Sequence, residues 1–90
     1  TLAAMRQARP EEIRQLKAAV SKAEAALKLA NAEYTRVTNI FKQDPGAISK
    51  DQIDRATEQK EREEANLRNA REELKIGYLS ETSIELYRPR

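Results

Sequence analysis

The stretch "FKQDPGAISKDQID", residues 41 to 54, decides how the chain folds. Asp44-Pro45-Gly46 halts a segment rich in long helix formers. Pro45 drives Asp44 out of the helical region, and Gly46 offers the positive φ with which a chain turns back. Helix formation resumes at once. Ser49 is a strong N-cap, and Gln52 three residues on completes a capping box, so a second helix is predicted to start at Lys50. Two helices joined by so short a loop lie antiparallel.

Upstream of that stretch, apolar and small residues fall at Ile13, Leu16, Val20, Ala23, Leu27, Ala30, Tyr34, Val37 and Phe41, spaced alternately three and four apart. This is a heptad seam with Ile13 at a and Leu16 at d. Its helix is expected over about 10–43, with Pro10 at the first helical position and Glu11 and Glu12 complementing the positive end of the dipole. At about 1.5 Å per residue it makes a rod on the order of 50 Å long. After a tip loop at 44–48 the same phase resumes at Ile53, Ala56, Leu67, Ala70 and Leu74, so the second helix is expected over about 49–76, with Gly77 as its C-terminal cap.

A chain folded back around Gly46 brings together residues whose numbers sum to 93 or 94. The pairs are then Phe41 with Ile53, Val37 with Ala56, Leu27 with Leu67, Ala23 with Ala70, and Val20 with Leu74. Large meets large and small meets small, which neither helix alone dictates. The fold class is therefore all-α: two long antiparallel helices forming a coiled-coil hairpin, whose Ala layers let the axes approach. Lys60 and Glu63 break the seam at a and d positions, opposite Tyr34 and Ala30. Either they snorkel to water, with Lys60 lying against the Tyr34 ring, or the stretch "TEQKEREE" faces a neighbouring subunit. Asp51 with Arg55, Glu24 with Lys28, and Glu64 with Arg68 read as helix-surface pairs worth about 0.2–0.5 kcal/mol each.

The ends read as irregular or strand-like. Residues 1–9 form a lead-in, the end of a preceding helix interrupted at Pro10. Residues 78–90 form a tail in which "SIELY" alternates in the manner of a short strand, and "ARPEE" at 8–12 is echoed by "YRPR" at 87–90.

With aromatic residues at 4% and charged residues at 36%, ninety residues cannot bury a large globular core, so the domain is expected to be elongated. The formal net charge is +2 with both signs interleaved, unlike a nucleic-acid stripe or a basic membrane-binding face. No run approaches the roughly 18 apolar residues that span a bilayer. Starting at Thr1, the chain reads as a segment excised or processed from a longer protein. It has no His and no Cys, hence no usual general base, soft-metal ligand or thiol nucleophile. There is no phosphate-binding Gly-rich loop, and the carboxylates lie on solvated helical faces. No enzymatic activity, metal or cofactor is expected; recognition by the tip and flanks of a rod remains.

The segment "ALKLANAEYTRVTNIFKQDPGAISKDQIDRATEQKEREEANLRNAREEL", with "ARPEEI" at 8–13 ahead of it, resembles the α-helical hairpin of periplasmic adaptor (membrane fusion) proteins of the HlyD, AcrA and MacA type. Its most specific element is "GAIS-KDQID-A", similar to the family's "G.IS..E.D.A" tip. The resemblance implies a structural role: linking an inner-membrane transporter to an outer-membrane TolC-like channel in efflux or secretion. It also implies hairpins that self-associate side by side, a periplasmic location, and a parent protein anchored in the inner membrane. The family's tip motif is an Arg, a Leu four residues later and a Ser seven beyond that. Arg36 and Ile40 fill the first two places, with Phe41 beside the second. The third falls on Ala47 whereas the helix-opening serine is Ser49, so the loop is two residues longer than the pattern, around Gln43 to Gly46. The partner-binding candidates are thus Arg36, Ile40, Phe41 and Ser49, around a turn made by Pro45 and Gly46. Each has a purely structural explanation as well: Ser49 as N-cap, Ile40 or Phe41 as a lid on the last seam layer, Arg36 as a surface charge.

In such adaptors the second helix leads back to a lipoyl-like β domain through "T.I.AP.DG"; Thr82 and Ile84 match its start, while Pro89 comes two residues late. Two alternatives compete. A generic coiled-coil scaffold or dimerisation hairpin needs only the seam. A tRNA-binding arm like that of seryl-tRNA synthetases needs a basic face, which interspersed acidic residues deny it.

Overall fold

The seam produces two helices, α1 at Leu2–Gln43 and α2 at Lys50–Leu86, joined by a 3₁₀ turn at Pro45–Ala47. These come from a computed structural model that describes the backbone of residues 2–86 and the side chains of residues 10–79. The all-α antiparallel hairpin is as expected, with no strand among the described residues. The rod measures 70 × 15 × 15 Å, longer than the 50 Å expected because both helices run past their predicted ends.

At the open end, α1 begins at Leu2 and passes through Pro10. A proline inside a helix removes one i→i−4 hydrogen bond and crowds the preceding turn, a cost that the long amphipathic segment beyond Ile13 outweighs. Glu11 is therefore not at the helix start; it pairs with Arg14 at 2.9 Å. Likewise α2 does not stop at Gly77, and residues 83–86 of the expected strand are helical. A five-residue alternation with no strand to pair against cannot compete with an extending helix. Tyr87 and the "YRPR" echo lie outside the described residues.

Gly77 has another use. It is buried, and a Cβ placed on it would lie 2.7 Å from Leu16 Cδ1 and 3.2 Å from Ile13 Cδ1. The missing side chain lets α2 press against the first seam layer of α1. Leu16 and Gly77 sum to 93, so the facing rule reaches the open end of the rod.

Near the tip the core is Val37, 2% exposed, with Ile48 and Ala56, and with Tyr34, Ile40 and Ile53 packed around them. Val37 meets Ala56 as expected. The last layer differs: Ile40, not Phe41, packs against this cluster, and Phe41 is 45% exposed. A straight helix advances 3.6 residues per turn, so a strict heptad drifts off the seam by its end. The sequence reading also passed over Ile48, which precedes the N-cap Ser49 and packs with Ile53, the pairing of a hydrophobic staple.

The polar break in the seam is accommodated at the surface: Lys60 Nζ sits 4.5 Å from the centroid of the Tyr34 ring. Lys17 lies over Tyr78 in the same way at 5.6 Å, below the Gly77 layer.

The turn does not use a left-handed residue. No glycine has positive φ, and reversal comes from Asp44 (φ −148°, ψ 88°) and Ile48 (φ −139°, ψ 142°) on either side of the 3₁₀ turn. A Cβ on Gly46 would meet only Asp44 Oδ1 at 3.5 Å, an ordinary contact.

The two glycines should therefore respond oppositely. Gly46→Ala is expected to leave stability unchanged or raise it by about 0.4–1 kcal/mol, through the unfolded chain. Gly77→Leu should lower it by about 1–3 kcal/mol by overpacking. Urea unfolding followed by circular dichroism measures both. Replacing Leu27 and Leu67 together by Asp should abolish helicity, since each lies mid-seam and Leu67 is buried.

Candidate functional site at the hairpin tip

The tip is assembled by local hydrogen bonds before any partner is considered. The Asp44 amide closes the last turn of α1 on the Ile40 carbonyl at 2.8 Å, and Ala47 donates to the Asp44 carbonyl at 3.0 Å. The Asp44 carboxylate accepts from the Gly46 amide at 3.2 Å. On the far side the capping box forms as predicted: the Gln52 amide donates to Ser49 Oγ at 3.1 Å, and the Ser49 amide donates to Gln52 Oε1 at 2.9 Å. Ser49 Oγ also donates to Gln52 Oε1 at 3.2 Å. With Ser49 committed to α2, its hydroxyl is less open to a partner than its exposure suggests.

The remaining candidates separate by environment. Ile40 is half-buried in the tip core and is consumed by folding, whereas Phe41, Pro45 and Gly46 are exposed. Arg36 is exposed but not unpaired. Its Nε and one terminal nitrogen donate to both carboxylate oxygens of Glu33, at 3.0 and 2.6 Å. That two-pronged hydrogen bond holds the Glu33 carboxyl below the ordinary carboxylate range, slight desolvation opposing and charge attraction adding to it. The same bond raises the Arg36 guanidinium above its usual value. The sequence reading missed Glu33, although its i,i+3 spacing from Arg36 was a signal.

Glu33 and Arg36 line a shallow groove of about 250 Å³ with Gln52, Arg55 and Gln59, floored by Val37 and Ala56. Arg55 is paired with Asp51 at 2.9 Å. The tip thus offers exposed apolar surface at Phe41 and, in the groove, the guanidinium groups of Arg36 and Arg55, residue types enriched at protein interfaces. Among the described residues no group of three His, Cys, Asp or Glu side chains is placed to hold a metal ion. No helix among them is long and apolar enough to cross a membrane.

This geometry, a long helical pair closed by a short capped tip, agrees with a match along nearly the whole chain: the YBHG alpha-helical hairpin domain matches residues 2–83. The chain belongs to the YBHG alpha-helical hairpin domain family. That family is the hairpin domain of a membrane-fusion-like periplasmic protein. No curated protein and no solved structure matches the chain. In this YBHG hairpin the match takes in residues 2–9 and 78–83, which the sequence reading had assigned to a lead-in and a tail.

Two measurements check the tip. Ser49→Ala should cost about 1 kcal/mol, while Ser49→Asp, which can still accept from the Gln52 amide, should be nearly neutral in the same unfolding assay. Because Glu33 titrates lower folded than unfolded, its bond to Arg36 supports the helix above the unfolded pKa. That support is lost as pH falls through the folded value. Carboxyl NMR should show the Glu33 midpoint rising toward the ordinary range in Arg36→Gln.

Proposed function

We propose that this hairpin belongs to a periplasmic adaptor of the HlyD, AcrA and MacA type, and that its tip docks on an outer-membrane TolC-like channel. Parts of the parent protein outside this chain then reach the inner-membrane transporter, in efflux or secretion. The observation that carries the reading is the exposed Phe41 at the end of a rod 70 Å long, left uncovered where the seam would have buried it. An aromatic ring exposed in that position has a large apolar area to offer a partner.

On this reading the module performs no catalysis, and it works in the periplasm on a parent anchored in the inner membrane. Arg36 contributes orientation, its guanidinium exchanging Glu33 for an acceptor on the channel. Exposed ion pairs of this kind are worth little in isolation, so the exchange costs little. Ser49 holds the second helix start in place and adds a contact only through its remaining acceptor capacity.

Phe41→Asp and Arg36→Asp, introduced in the full-length parent protein, should retain wild-type helicity while weakening channel association and export of its substrate. Complementation equal to wild type by both variants counts against the docking role.

A further inference from the structure

The groove beside the tip holds more hydrogen-bond donors than acceptors to meet them. On its α1 wall both carboxylate oxygens of Glu33 already accept from Arg36. On its α2 wall Gln52 Oε1 accepts from the Ser49 amide and hydroxyl, and Gln59 Oε1 accepts from Arg62 at 3.3 Å. Each acceptor side chain lining the groove is thus in use. The donors are not. Arg36 gives Nε and Nη2 to Glu33 and keeps Nη1. Arg55 pairs Nη2 with Asp51 and keeps Nε and Nη1. The capping box takes the oxygen of the Gln52 side-chain amide and leaves its nitrogen without a partner among the described residues. A guanidinium has five N–H donors and no acceptor, and an amide nitrogen has two donors, so the surplus is all of one kind.

The two guanidinium groups come from opposite walls at nearly the same height. Val37 meets Ala56 in the tip cluster, and Arg36 and Arg55 each precede one member of that pair. By the facing rule Arg36 stands level with Thr57, two residues along α2 from Arg55, or about 3 Å along the axis. Between them lies the groove of about 250 Å³, floored by Val37 and Ala56. An apolar floor lowers the local dielectric and strengthens a charge-assisted hydrogen bond made above it. The Arg, Leu and Ser pattern of the resemblance names only Arg36; Arg55 and Gln52 lie on α2, outside it.

We propose that this groove is a carboxylate clamp, in which Arg36, Arg55 and the Gln52 amide nitrogen together receive one Asp or Glu side chain of the protein that the tip meets. An ionised carboxylate is acceptor-only, and its two oxygens match two guanidinium groups converging from opposite walls. Glu33 and Asp51 act as internal stand-ins. They hold the guanidinium groups in place until the partner's carboxylate arrives, and they give way because exposed ion pairs of this kind contribute little. Ser49, by fixing the Gln52 oxygen, leaves the Gln52 nitrogen for the groove. The clamp rests on the tip-docking reading and adds to it the group recognised and the α2 residues that select it.

The readout is the affinity of the full-length parent protein for its outer-membrane channel by surface plasmon resonance, with circular dichroism confirming the helicity of each variant. Arg36→Gln and Arg55→Gln should each weaken association at least about tenfold. Because both hold one carboxylate, the double variant should bind little more weakly than either single. Losses that multiply to about a hundredfold mean separate acceptors and overturn the clamp. Asp51→Asn, which frees Arg55 from its competitor, should strengthen association about two- to threefold. Weaker binding by Asp51→Asn makes the Asp51 pair itself the requirement and also overturns the clamp. Arg55→Glu should be rescued by Lys in place of one channel Asp or Glu; failure at every exposed carboxylate of the channel overturns the choice of ligand. Arg55→Gln at wild-type affinity, with Phe41→Asp impaired, removes the clamp and leaves docking standing. Phe41→Asp and Arg36→Asp both at wild-type affinity remove the docking reading, and the clamp with it.

Discussion

Register is the constraint on which this molecule rests. A hairpin of two helices has one interface, and every residue's height and flank follow from how α1 and α2 are phased along it. Three features hold that phase. At the tip, the capping box of Ser49 and Gln52 and the staple of Ile48 on Ile53 fix where α2 begins. In the middle, Lys60 lies over Tyr34, a pairing that a slip by one heptad would break. At the open end, Gly77 admits Leu16 where any larger side chain would collide.

The thinness of the rod sets its energetics. No layer has a second layer behind it, so even the best-shielded positions, Val37 and Ala30, are one side chain from water. The central stretch of α2 is the most hydrophilic part, and the carboxylate of Glu63 there accepts from Gln59 at the surface without being enclosed. Stability is therefore distributed along the length, with the tip cluster as its densest point. Local opening should be easiest away from that cluster, where apolar contacts are fewest.

Much of this was legible in the sequence because its signals are local and redundant. The three-four spacing, the Asp44-Pro45 stop and the Ser49 cap each point to the same hairpin, and the complementary sizes of Val37 with Ala56 fix its register. What was misread depended on competition between local rules. Gly77 obeys the rule for a helix cap but answers to packing. Pro10 obeys the rule for a helix start but lies inside a segment long enough to override it. Phe41 continues the heptad on paper, and the 3.6-residue helix carries it off the seam. Gly46 suggested a left-handed turn, while Asp44 and Ile48 supply the reversal with ordinary extended geometry. At the tip, the residue types were readable but their commitments were not: only the folded geometry shows Arg36 held by Glu33 and Ile40 absorbed into the core.

That reversal without a left-handed residue has a consequence for how such proteins diversify. A bend that depends on glycine freezes the amino acid at its apex, and its surface chemistry with it. Here the apex tolerates any side chain with ordinary backbone preferences, because the shape is dictated by the flanking Asp44 and Ser49 anchors. The surface at the end of the stalk can therefore change its side chains while the stalk itself stays as it is, so that the chemistry of the end is separate from what holds the molecule up.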